Sequence, residues 1–136
     1  MGDGRGLILV GDIGGTKTAL AVVATDSGPR RPLAEKTYPS EQFASLAEVA
    51  LQFLRETGLA VQAACFGVAG PVVKGQARVT NLPWLIDAVQ LSQALATPVH
   101  LLNDLESIAH GVPLLEQVDL ETINVGEPVE KGALAI

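Results

Sequence analysis

Residues 7–10 (LILV) form a short unbroken apolar run, the pattern of a strand buried on both faces. A second apolar run, residues 18–25 (TALAVVAT), stops at the turn formers Asp26, Ser27, Gly28 and Pro29. Residues 33–39 (LAEKTYP) alternate loosely, as an edge strand would, so three consecutive strands are expected at the start. The period then changes. In SLAEVALQFLRETG, Leu46, Val49, Ala50, Phe53 and Leu54 recur at helical spacing. Ser45 with Glu48 has the form of a capping box, and Gly58 stands where a helix's C-terminal glycine belongs. Residues 60–69 read as a further buried strand, and residues 72–80 as a hairpin turning at Lys74-Gly75. TNLPW is irregular because Pro83 breaks both regular structures. Residues 87–96 predict a helix stopped by Thr97-Pro98. VHLLND (99–104) predicts a short strand ending on two polar residues. LESIAHG (105–111) predicts a turn or two of helix closed by Gly111, with Pro113 beyond. Residues 120–125 (LETINV) are a candidate last strand, and ALAI at 133–136 begins a new apolar run. The order βββαβ(ββ)αβα(β) predicts an α/β fold: a mixed sheet with helices on its faces.

Composition adds bounds rather than detail. With 136 residues and 48% hydrophobic content, one domain with a substantial core is expected. The net charge of −6 disfavours nucleic acid and anionic lipid as partners, though not a local anion site built from backbone N–H groups. The single cysteine, Cys65, excludes an internal disulfide and a cysteine-based metal site. No apolar run approaches the eighteen or so residues of a membrane helix, and MGDGRG has no signal-peptide core. A cytoplasmic domain is the expectation.

The chemistry is concentrated first in GDIGGTKTAL, residues 11–20. A Walker A loop would need its second glycine at position 16, where Thr16 stands, although Lys17 and Thr18 fit. No register gives the Rossmann fingerprint. Both motifs must also open a helix, whereas TALAVVATD is short and rich in Val and Thr, a strand composition. A strand–turn–strand hairpin remains. Its glycines let an anion approach the backbone, and its successive N–H groups and the Thr16 hydroxyl can bind one. Asp12 would repel a bare phosphate, and Mg²⁺ would resolve that conflict. The plainer alternative is a glycine-rich turn capped by Asp12.

A second constellation is Asn103-Asp104 at the end of a predicted strand, where open α/β sheets bind ligands. Asp104 could accept the proton of a substrate hydroxyl, and Asn103 could hold a hydroxyl through both donor and acceptor. The alternative is a helix N-cap. Asn81 and Trp84 lie on a loop after a strand, as ligand residues or as turn and core edge. His100 and His110 have no spaced metal partners, Cys65 lies in an apolar strand, and Arg30-Arg31 reads as a solvated turn.

Together these residues resemble the bacterial glucokinases, within the hexokinase, actin and heat-shock ATPase superfamily. The resemblance runs from GLILVGDIGGTKTALAVV through GPVVKGQARVTNLPW to HLLNDLESIAHGVPLL, and GEPVEKGALAI is similar to the segment leading into the family's second phosphate motif. It implies a ribonuclease-H-like, actin-like ATPase lobe with a mixed five-stranded sheet. Residues 1–136 would be the N-terminal smaller lobe of a two-lobed sugar kinase, with residues 132–136 opening the C-terminal lobe. ATP and Mg²⁺ are the implied cofactors, glucose or a related hexose the substrate, and a homodimer one expectation for the full-length protein. Gly11, Asp12, Ile13, Gly14, Gly15, Thr16 and Lys17 would line the ATP phosphates, with Asp12 positioning the metal. Asp104 matches the catalytic base, Asn103 a sugar ligand, and Asn81 a residue near the sugar. Lys17-Thr18 departs from the Asn-Ala of many members. GGTKT is closer to the neighbouring repressor–open-reading-frame–kinase family, while NDLESIAHGVPLL favours the glucokinase group. A kinase for another hexose or an N-acetylhexosamine, and a non-catalytic sugar-sensing protein of the same fold, are the alternatives. The family's second phosphate loop and further sugar ligands would lie beyond residue 136, so these residues alone are expected to be nearly inactive.

Overall fold

The computed structural model describes residues 6–133. The three opening apolar runs are the strands β1 (Leu7–Ile13), β2 (Lys17–Ala24) and β3 (Ala34–Pro39). Along β2 burial alternates, with Thr18, Leu20, Val22 and Ala24 turned inward. The helix α1 (Leu46–Thr57) starts at Ser45, whose hydroxyl accepts from Glu48 N at 3.2 Å. The reciprocal Glu48 carboxylate takes the N–H of Ala44, one residue before the cap. Gly58 closes the helix in the left-handed conformation, φ 67°. The strand β4 (Ala63–Val68) precedes the hairpin of β5 (Val72–Val73) and β6 (Gln76–Arg78). Lys74 and Gly75 both have positive φ at its two-residue turn. Then follow β7 (Leu85–Asp87), α2 (Ala88–Leu95), β8 (Val99–Asn103) and α3 (Asp104–Gly111).

The main sheet has the order β3-β2-β1-β4-β8. β1 pairs antiparallel with β2, and β2 with β3, while β1–β4 and β4–β8 are parallel. This is the mixed sheet that the element pattern predicts, with the five strands that the family resemblance implies. β5, β6 and β7 form a separate three-stranded sheet. On one face of the main sheet Leu9, Ile13, Leu20, Val22 and Phe66 join α1's Val49, Ala50 and Phe53 in the buried core. Trp84 is buried at the core edge and donates its indole N–H to Phe43 O at 3.1 Å. Two buried hydroxyls sit in this core, and Ser40 Oγ donates to Gly14 O at 2.9 Å. Its only proton being used there, the 2.9 Å contact to Thr18 Oγ1 has Thr18 as donor.

Four expectations change. Leu85–Asp87 is a strand because β6 offers it a partner edge, Ala77 opposite Ile86. α3 starts one residue early, at Asp104, and runs through Gly111 into a 3-10 turn, Val112–Leu114, whose first turn accommodates Pro113. Residues 120–125 are not a strand. Among the described residues no neighbouring strand pairs with them, and Ile123 is 96% exposed. Arg30 is not merely solvated: its guanidinium bonds Asp119, 89 residues away. The run at 133–136 and the lobe opening expected at 132–136 lie mostly outside the described residues.

Candidate functional site

The turn Gly14–Thr16 between β1 and β2 is fixed by its own bonds and by Ser40. Gly14 N donates to Lys17 O at 2.9 Å, Ser40 N to Thr16 O at 2.9 Å, and Ser40 Oγ to Gly14 O. The carbonyls are thus turned towards Ser40. The N–H groups of Gly15 and Thr16 have no acceptor among the described residues. Gly15 lies against the following loop so closely that a Cβ there would stand 2.1 Å from Thr80 O. Successive unpaired N–H groups on a rigid turn are the elements of an anion site.

Strand periodicity then sorts the predicted residues. Gly11 and Ile13 face the core, and Ile13 is fully buried, so only their backbones are available to a ligand. Asp12 points to the opposite face and is exposed. Its neighbour across β1–β4 is Gly67, whose neighbour on β8 is Leu102, two residues before Asp104. Asp12 and Asp104 therefore share a face, at the carboxyl ends of parallel strands. They line one cavity of about 360 Å³ together with Gly67, Ser107 and Ile108.

Gly67 is a site residue that the sequence reading missed. A Cβ there would meet Ser107 Oγ at 2.7 Å and Asp104 Cα at 3.9 Å, so its absence is what lets α3 lie on the strand end. A lone glycine inside an apolar strand, Phe66-Gly67-Val68, was the available signal. Asn103 is the helix cap: Oδ1 accepts from Leu105 N at 3.0 Å, and Nδ2 donates to Gly70 O at 2.8 Å. Asp104 Oδ1 accepts from the same Leu105 N at 2.9 Å, and its other oxygen has no donor among the described residues. Asn81 is elsewhere. With φ 65°, it joins Gly15, Thr16, Lys17 and Glu41 around a second cavity of about 500 Å³. The hairpin turn lies at the edge of this one, and Asn103 and Asp104 do not line it.

Two carboxylates in one cavity suit a hard cation. Mg²⁺ is ordinarily held by one or two carboxylates together with substrate phosphates and water. No cluster of three or more His, Cys, Asp or Glu side chains occurs among the described residues, so an all-protein metal cage is not what this donor set forms. His100 and His110 are exposed and belong to no such cluster. Burial pushes the Cys65 thiol up, away from the thiolate.

The chain has counterparts among known proteins. The family model described as Glucokinase matches residues 9–136. A glucokinase of Nostoc punctiforme is 38% identical over 133 residues, covering 96% of this chain and 39% of that protein. A crystal structure of glucokinase from an Antarctic psychrotroph superposes with a TM-score of 0.79 at 29% identity, over 91% of this chain and 40% of that one. A glucokinase of the ROK family from Streptomyces griseus, solved in complex with glucose and AMPPNP, superposes with a TM-score of 0.58 at 25% identity, over 79% and 36%. The chain thus spans 39% of the length of the curated relative it matches. With the match extending over residues 9–136 and the sheet shared with the solved lobes, the chain belongs to the glucokinase family.

Proposed function

We propose that the protein containing these residues transfers the γ-phosphoryl group of ATP to the 6-hydroxyl of glucose, and that the chain is the smaller, N-terminal lobe of a two-lobed cytoplasmic kinase. One observation carries the reading: Asp12 and Asp104 line a single cavity at the strand ends. That the Streptomyces griseus relative was solved with glucose and AMPPNP supports the choice of substrates.

In this mechanism the N–H groups of Gly15 and Thr16, with the Thr16 hydroxyl and the Lys17 ammonium, bind phosphate oxygens. Asp12 is the group that would hold Mg²⁺, directly or through water. The ion, when bound, neutralises charge on the phosphates. Asp104 accepts a hydrogen bond from the sugar hydroxyl, orients it for in-line attack and takes its proton late. A loose transition state needs little activation of the nucleophile, so orientation outweighs basicity. Asn103 contributes mainly by capping α3 and fixing where Asp104 begins. Asn81, the remaining candidate sugar residue, lies in the second cavity, apart from Asp104.

The test uses protein expressed from the whole reading frame that contains this chain. ADP release is followed with ATP–Mg²⁺ and glucose, mannose, fructose or N-acetylglucosamine. Glucose-selective turnover is expected, falling by about 10²–10⁴ in Asp104→Asn, the usual cost of losing a general base. Full turnover in that variant, or none with any sugar in the wild type, refutes the reading. The 136 residues alone are expected to show negligible turnover, since transfer needs both walls of the cleft.

A further inference from the structure

α3 carries Asp104 but buries no side chain, and Leu105 and Ile108 are more than half exposed. Helices in proteins ordinarily owe their stability to a packed apolar face. This one is held at its start by the Asn103 cap and near its middle by Ser107 lying over Gly67. Beyond Gly111 the chain leaves in two 3-10 turns, Val112–Leu114 and Gln117–Asp119, whose Leu114 and Val118 are also exposed. Among the described residues apolar burial does little to hold this end, where Val112 is only partly covered.

A polar restraint does more. Arg30, in the turn between β2 and β3, reaches three points of the segment 114–119. Its Nη1 donates to Asp119 Oδ1 at 3.1 Å, and its Nη2 to Asp119 Oδ2 and to Leu114 O at 3.5 Å. Its Nε lies 3.5 Å from Glu116 Oε1. Asp119 is itself fixed, because its carboxylate accepts the N–H of Glu116 at 2.8 Å and closes a capping box. The planar guanidinium is matched to such a two-oxygen grip. β2 begins at Lys17 beside the anion-binding turn and leads to the turn bearing Arg30. The turn at the far end of that strand is thereby tied to the segment that follows α3.

We propose that Arg30 is a positioning residue: through Asp119, Glu116 and Leu114 O it straps the 112–119 segment to the β2–β3 turn, and so holds α3 with the Asp104 carboxylate facing Asp12. The proposal rests on the reading of Asp104 as the acceptor of the sugar proton. An exposed ion pair contributes little to global stability, so the strap acts on α3 and not on the unfolding midpoint.

The experiment compares the wild type with Arg30→Gln, Asp119→Asn and the double variant, in the protein from the whole reading frame. Amide hydrogen exchange is read across residues 104–119, and kcat and KM are measured for glucose and ATP. Each single variant is expected to speed exchange across 104–111 by about two- to fivefold, the range an exposed pair supplies. A similar fall in kcat is expected at unchanged KM for ATP, and the double variant should be no worse than either single. High salt should loosen the wild type and leave Arg30→Gln unmoved. Unchanged exchange at 104–111, or faster exchange with kcat intact, overturns the proposal. A wild type that turns over no sugar refutes the kinase reading instead. Exchange then still decides the strap: acceleration in Arg30→Gln supports it, and no change overturns it.

Discussion

α1 and α3 are both capped by a polar side chain at their first turn, and there the likeness ends. α1 buries Leu46, Val49, Ala50 and Phe53, whereas no residue of α3 is fully buried. The helix that stabilises the lobe holds no candidate site residue, and the helix that bears the candidate acid rests on caps, one close contact and one ion pair. The candidate site is split: Asp12 stays on a central strand of the sheet, and Asp104 sits on the more easily opened helix. The largest expected effect breaks the first side of this contrast. Phe53→Ala removes a ring that is 1% exposed and stacked edge-on against Tyr38, at 84°. It should cost about 3–5 kcal/mol in urea unfolding, a large part of the roughly 5–15 kcal/mol typical of a domain. Ile108→Ala on α3 should stay within about 0.5 kcal/mol. Equal losses would show that α3 has a packed face after all.

The second side is tested at Gly67. A methyl group there would press on Ser107 Oγ at 2.7 Å and push α3 away from β4. Because no α3 side chain is fully buried, the unfolding midpoint should move little. Turnover should fall, since a displacement of about 1 Å in a reacting group can cost on the order of 10²-fold. Adding Ser107→Ala removes the clashing oxygen and should restore much of the rate. A Gly67→Ala protein that loses stability but keeps kcat would place the role of this glycine in packing alone.

How much of this was legible in the sequence follows from how local each feature is. The strands of the main sheet and α1 were readable because burial imposes a period on neighbouring residues, and the Ser45 and Gly58 caps lie within a turn of the helix they close. Asp12 and Asp104 were readable as residue types at strand ends. Their sharing of a cavity depends on the β1–β4–β8 register, which no local pattern carries. β7 was missed because three residues have no period, and only β6 makes them a strand. LETINV has strand composition, yet its side chains stay exposed for want of a ladder partner among the described residues. The alternative reading makes Asp104 the cap, yet the cap is Asn103, which bonds Leu105 N and Gly70 O, and the second of these bonds spans 33 residues. Arg30 looked like a solvated turn because its partners stand 84 to 89 residues on.

The smallest effect sharpens the comparison by placing a polar tie on the well-buried helix. Glu56, in the last turn of α1, accepts from Lys36 Nζ at 2.7 Å and from Tyr38 OH and Gln52 Nε2 at 2.9 Å each. Lys36 first, then Gln52 and Tyr38, lower its carboxyl from an ordinary 4.5 to about 2. A carboxyl depressed in the folded state stabilises it fully above the unfolded value, and that stabilisation is lost as pH falls through the folded one. The stability gap between the wild type and Glu56→Gln should therefore be constant from neutrality down to about pH 5, then close towards about pH 2. Asp119 is lowered to about 2 as well, by Arg30 and then by Glu116 N, and would titrate over the same window. It is present in both proteins, so the difference between them isolates Glu56. Both carboxylates are solvent-exposed, so the gap is small and shrinks with salt. The informative contrast is where each loss is felt. Glu56 joins a buried helix to β3, so its loss should appear in global unfolding. The loss of Arg30 should appear only in the opening of α3. If Glu56→Gln leaves the unfolding midpoint unchanged at every pH while speeding exchange in α1 alone, the division between a cooperative core and a locally held site helix does not stand.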